Sequence, residues 1–121
     1  MHGIYKVKYY PSRSGNYPVK GFIDQLDKKS QAKIFSHITL LQEQGPQLHS
    51  PYVEKVTREI WCLRTRTLAG YIRTFYFFFK QDVILLHSFK KKTPKIPKRE
   101  IKTAEGRMED FRVRYEKGEF K

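Results

Sequence analysis

The stretch YIRTFYFFFKQDVILLHSF, residues 71–89, decides the fold. Tyr71 to Lys80 is dense in aromatic and β-prone residues, and Asp82 to Phe89 is a second apolar run. The join Lys80-Gln81-Asp82 is short enough for an antiparallel hairpin. Upstream, Ile60 to Thr67 reads as another strand, joined to Tyr71 through Leu68-Ala69-Gly70. Val53 and Val56 mark a short strand before it. Side chains alternate along a strand. Trp61, Leu63 and Thr65 therefore share one face, and Cys62, Arg64 and Arg66 the other. In the next strand Tyr71, Arg73, Phe75, Phe77 and Phe79 share a face, which sets Arg73 among aromatic rings.

The flanks supply helices. Ile4 to Tyr10 suits a first strand, and Pro11 to Tyr17 reads as a loop. Pro18 fits the first turn of a helix whose apolar face is Val19, Phe22, Ile23 and Leu26. Ser30 is the expected N-cap of a second helix with the stripe Ile34, Phe35, Ile38 and Leu41, stopped by Gly45-Pro46. After the last strand, Lys90 to Arg99 is a basic turn punctuated by proline. Pro97 then opens a helix carrying Ile101, Ala104, Met108, Phe111 and Tyr115 on one side. The predicted order is β-α-α-β-β-β-β-α, an α+β domain with an antiparallel sheet, an N-terminal helical hairpin and a C-terminal helix. One domain is expected over residues 1–115, with residues 116–121 as a frayed tail.

Charge narrows the partners. The 121 residues carry 25 Lys+Arg against 12 Asp+Glu, a formal net charge of +13, which attracts polyanions and nucleic acid above all. The single cysteine, Cys62, excludes an internal disulfide and reads as a small apolar strand residue. The N-terminus lacks an apolar signal core and no run is long enough to span a membrane, so the expected compartment is the cytoplasm.

Metal-dependent nucleases need clustered carboxylates, whereas the strand segments hold only Glu54, Glu59 and Asp82 without convergent spacing. His2, His37, His49 and His87 are scattered, so neither a metal nor another cofactor is expected. Phosphodiester cleavage by cationic groups alone favours RNA, whose own 2′-hydroxyl can attack. Arg73 has three open roles. It can lay its stem across the sheet, pair with an acid such as Glu59, or clamp a phosphate while aromatic residues stack bases. His87 lies close in sequence to the run Lys90-Lys91-Lys92 and is a candidate acid–base group.

Three fragments, in order, carry a resemblance. They are Ile60-Trp61-Cys62-Leu63-Arg64, Gly70-Tyr71-Ile72-Arg73-Thr74-Phe75-Tyr76, and Leu85-Leu86-His87-Ser88-Phe89-Lys90-Lys91-Lys92-Thr93-Pro94-Lys95-Ile96-Pro97-Lys98-Arg99-Glu100-Ile101. The chain resembles the RelE/ParE superfamily of bacterial toxins, in its phage-related HigB-like branch. The resemblance implies the toxin of a type II toxin–antitoxin pair that cuts messenger RNA in the ribosomal A site. It also implies a helix-turn-helix antitoxin of the HigA kind as partner. Arg73, Lys91, His87 and Arg64 are the implied catalytic set, and Lys90, Lys92, Lys95, Arg66 and Tyr71 the implied RNA contacts. The tyrosine that RelE sets beside the phosphate has no counterpart, since Pro97 falls near that position. The general base is left to His87, Tyr71 or a lysine. The competing expectations are a ParE-like inhibitor of DNA gyrase that acts by protein contact, and a passive RNA-binding module.

Overall fold

The computed structural model describes residues 4–120; His2 and the other terminal residues lie outside them. Five strands form one sheet in the order β1-β5-β4-β3-β2: β1 (Lys6–Tyr9), β2 (Val53–Lys55), β3 (Trp61–Thr67), β4 (Gly70–Phe79) and β5 (Asp82–Lys90). The strands β2 to β5 are an antiparallel meander. Both predicted hairpins form, and Lys80 takes a positive φ of 57° to close the β4–β5 turn.

The sheet is mixed, which corrects the expectation of an antiparallel one. β1 pairs with β5 in parallel, Lys6 opposite Asp82 and Tyr9 opposite Leu85. No tight turn links β1 to its neighbour, so local sequence does not fix its direction. A helical crossover leads from β1 to the far edge of the sheet, and the partner for β1 is settled only when the meander closes.

The helices α1 (Pro18–Asp24) and α2 (Lys28–Gln44) cover one face. Val19, Ile23, Ile34 and Leu41 pack there on Leu63, Ile72, Tyr76, Val83 and Leu85. α3 (Lys98–Glu116) covers the other, where Ala104 and Phe111 meet Ile60, Cys62, Phe75, Phe77, Ile84 and Leu86. The apolar side of α3 is thus consumed by the sheet. Past its end, Phe120 stacks on Phe111 with ring centroids 4.9 Å apart.

The start of α2 also differs from expectation. Asp27, not Ser30, is the N-cap, accepting from the Ser30 N–H at 3.1 Å and the Ser30 hydroxyl at 2.6 Å. A carboxylate at the cap satisfies an orphan amide and complements the helix dipole. Ser30 is buried as a result, and its Oγ accepts from the Ala69 N–H in the β3–β4 turn at 3.2 Å. That bond ties α2 to the end of the sheet where the candidate site lies.

Candidate nucleic-acid interface

The register of β3 against β4 sets Arg64 opposite Arg73 and Arg66 opposite Tyr71. By alternation these four side chains share the α3 side of the sheet, beyond the end of the aromatic packing. Arg73 is 5% exposed, yet among the described residues no carboxylate lies within 4 Å of it, and its Nε has no hydrogen-bond partner. The acid that sequence offered, Glu59, is paired instead with Arg112 of α3. A buried guanidinium without a counter-ion is costly unless something arrives to satisfy it.

Arg73 and Tyr71 line two adjoining hollows. One, of about 270 Å³, is completed by Lys91, Lys92, Thr93 and Pro94. The Lys91 N–H donates to the Tyr71 carbonyl at 2.7 Å, which extends the β4–β5 ladder past Lys90 and draws the lysine turn onto the start of β4. The other, of about 260 Å³, is completed by Arg64, Thr65 and Arg66 of β3, by Pro51 and Tyr52 ahead of β2, and by Lys33 and His37 of α2. It opens because β2 pairs only with Trp61 to Leu63 and the Tyr52 carbonyl extends that edge only to the Arg64 N–H, at 2.8 Å, so that no strand covers β3 beyond Arg64. Arg64 makes a loose contact with Glu54 at 3.6 Å, and its Nε is a second buried nitrogen without a hydrogen-bond partner. Arg66 lies over the half-exposed Tyr71 ring, 5.5 Å from its centre, presenting a flat cationic and aromatic surface.

Arg73, Arg64, Arg66, Tyr71, Lys91 and Lys92 therefore come together. Lys90 points to the opposite side, its stem packed on Gly70, and lines a separate hollow with Phe22, Lys92 and Arg99. Lys95 lines none of these hollows.

His87 stands apart as well. A bulge between Phe75 and Tyr76 in the ladder makes Leu86 the extra residue of β5, so Leu86 and His87 both turn toward α3. There His87 Nε2 donates to Glu100 Oε1 at 2.6 Å, and its Nδ1 accepts from Arg107 Nη1 at 3.2 Å. A donor aimed at Nδ1 requires a lone pair there, so the ring is neutral despite the adjacent carboxylate. Burial pushes its pKa down, which agrees with that tautomer. Both nitrogens are occupied and the ring lines neither of the two hollows that Arg73 shares. Cys62 is buried on the same face, and burial pushes its thiol up to about 12, which removes it as a nucleophile.

Lys33, His37 and Tyr52 were not legible as site residues. The signal in sequence is weak: His37 lies three residues after Ile34 and four before Leu41, inside an apolar stripe.

The profile of the family described as "Phage derived protein Gp49-like (DUF891)" matches residues 21–109, which span both hollows. The chain belongs to this Gp49-like family. It is a type II toxin family related to RelE-type toxins, and membership implies a cognate antitoxin. No curated protein matches this Gp49-like chain. Among its described residues, no helix is long and apolar enough to cross a membrane.

Proposed function

We propose that this Gp49-like toxin is a HigB-like, ribosome-dependent endoribonuclease of the cytoplasm that cuts messenger RNA in the A site without a metal. A HigA-like helix-turn-helix antitoxin would neutralise it. The observation that carries this proposal is Arg73, a buried and unpaired guanidinium on the shared wall of two cationic hollows. A phosphodiester is the dianion-forming group that such an arrangement suits. Its phosphate would sit against Arg73, with one flanking nucleotide in each hollow.

In this mechanism the RNA supplies its own nucleophile. A base removes the 2′-hydroxyl proton, O2′ bonds to phosphorus, and the P–O5′ bond breaks toward the leaving oxygen, which takes up a proton. The products are a 2′,3′-cyclic phosphate and a 5′-hydroxyl. Arg73 and Lys91 would stabilise the charge that accumulates on the phosphorane oxygens, where fixed donors contribute most. Arg64 and Arg66 would hold neighbouring phosphates, and Tyr71 would offer a stacking face. His87 has a positioning role: it joins β5 to α3 ahead of the lysine turn.

The test is induction of the chain in bacteria with transcriptome-wide mapping of RNA 5′ ends, for the wild type and Arg73→Ala. Codon-phased cuts that vanish in the variant are expected. Intact RNA with accumulated gyrase–DNA cleavage complexes would refute the proposal in favour of the gyrase inhibitor.

A further inference from the structure

The hollow at the β3 edge contains one group whose chemistry is unused by the cationic clamp, His37 of α2. Its Nδ1 lies 3.1 Å from the Arg64 carbonyl and 3.1 Å from Thr65 Oγ1. A carbonyl only accepts, so Nδ1 carries the proton and Nε2 carries the lone pair. The ring is set edge-on against Tyr52, with centroids 5.3 Å apart, which fixes its plane. Nε2 is not among the buried nitrogens that lack a partner, and the ring lines the same hollow as Arg64 and Arg73.

Resting on the ribonuclease proposal above, we propose that His37 is the general base that takes the 2′-hydroxyl proton. The division of labour follows from the two hollows. In-line displacement puts the attacking and leaving oxygens on opposite sides of phosphorus. With the phosphate on Arg73, the nucleotide bearing the 2′-hydroxyl occupies the His37 hollow. The leaving 5′-oxygen then faces the lysine turn, where the Lys91 ammonium donates its proton. The strand polarity of the RNA across the sheet is thereby assigned.

The electrostatics agree with a base. Burial lowers the His37 pKa from the ordinary imidazole value of 6.5; the hydrogen bond to the Arg64 carbonyl opposes this, Lys33 on its own helix adds to it, and the net shift is downward. Across the hollow the facing charges are Arg64 and Arg66 from β3 and Arg73 from β4, with Tyr71 and Tyr52 as further titratable neighbours. The nearby carboxylate, Glu54, is engaged with Arg64. The imidazole is therefore neutral at pH 7 and able to accept a proton.

The experiment measures single-turnover cleavage of a defined messenger on programmed ribosomes, with the same RNA free in parallel, between pH 5 and 8. For the wild type the rate should rise with pH through a value below 6.5 and then level off. His37→Ala should lose about 10²–10⁴-fold, and added imidazole should restore part of the rate. His37→Gln, which keeps a donor for the Arg64 carbonyl, should fold with the wild-type circular dichroism spectrum and remain as slow as His37→Ala. The inference is overturned if His37→Gln cuts within a few-fold of wild type with an unchanged pH profile. It is equally overturned if His37→Ala is slow yet unmoved by imidazole and still shows the acidic limb. Wild-type protein that cuts neither RNA removes the ribonuclease proposal itself, a result distinct from both.

Discussion

Replacing Arg73 by methionine should make the protein more stable and inactive. Methionine keeps most of the stem volume among Cys62, Phe75 and Phe89 while deleting the charged head. The residue is 5% exposed and its Nε is buried without a partner. An unsatisfied buried polar group costs about 1–3 kcal/mol. Only Nε of this guanidinium is both buried and orphaned, so the lower end of that range applies. Arg64 stands directly opposite in the ladder, and removing one of two facing like charges adds a further small gain. The net expectation is stabilisation by about 1 kcal/mol, or about 3–5 °C in melting temperature for a domain of this size. Thermal melts and urea titrations of the two proteins measure it. A companion measurement adds inorganic phosphate: an anion held by Arg73 at ten times its dissociation constant contributes about 1.4 kcal/mol to the wild type and little to the variant. If Arg73→Met instead lowers stability by 1 kcal/mol or more, the guanidinium is satisfied within the fold. The case for a vacant phosphate clamp would then collapse.

Further outcomes follow from the same geometry. Lys91→Ala should slow ribosome-dependent cleavage at least tenfold by removing a donor at the phosphate, while Lys95→Ala, outside the hollows, should leave it within about twofold; single-turnover assays separate them. His87→Phe should retain cleavage within a few-fold, since both ring nitrogens are bonded to α3. The folded-state pKa values of His37 and His87 are both depressed, so the unfolded chain takes up protons first as pH falls. Stability should be full above about pH 7, decline as pH drops through 6.5, and decline less steeply in His87→Phe, as followed by urea titration at each pH. Gly45→Ala should cost more than about 2 kcal/mol, because Gly45 has φ 53° and the Tyr5 ring occupies the space a Cβ would need; a thermal melt checks it.

The parts of this molecule that sequence determined are those governed by neighbours along the chain. Alternation sorted Arg73 with Phe75 and Phe77 and sorted Arg64 with Cys62, because a strand's faces follow from parity alone. Helical spacing found Val19 to Leu26 and Ile34 to Leu41, and short joins fixed the antiparallel meander. The order of the three fragments from Ile60 to Ile101 carried the resemblance to RelE-like toxins, in keeping with the Gp49-like family that residues 21–109 match. What tertiary structure decided is whatever depends on groups distant in the chain. The direction of β1 depended on which edge the meander left open. The bulge at Leu86 turned His87 into the clasp of Glu100 and Arg107 and away from the lysine turn that follows it in sequence. Register set Arg64 across from Arg73, and α2 delivered His37 to the free edge of β3. Side-chain direction is local, but the company a charged group keeps is set by packing, and that company decides whether it is paired, buried or left waiting for a ligand.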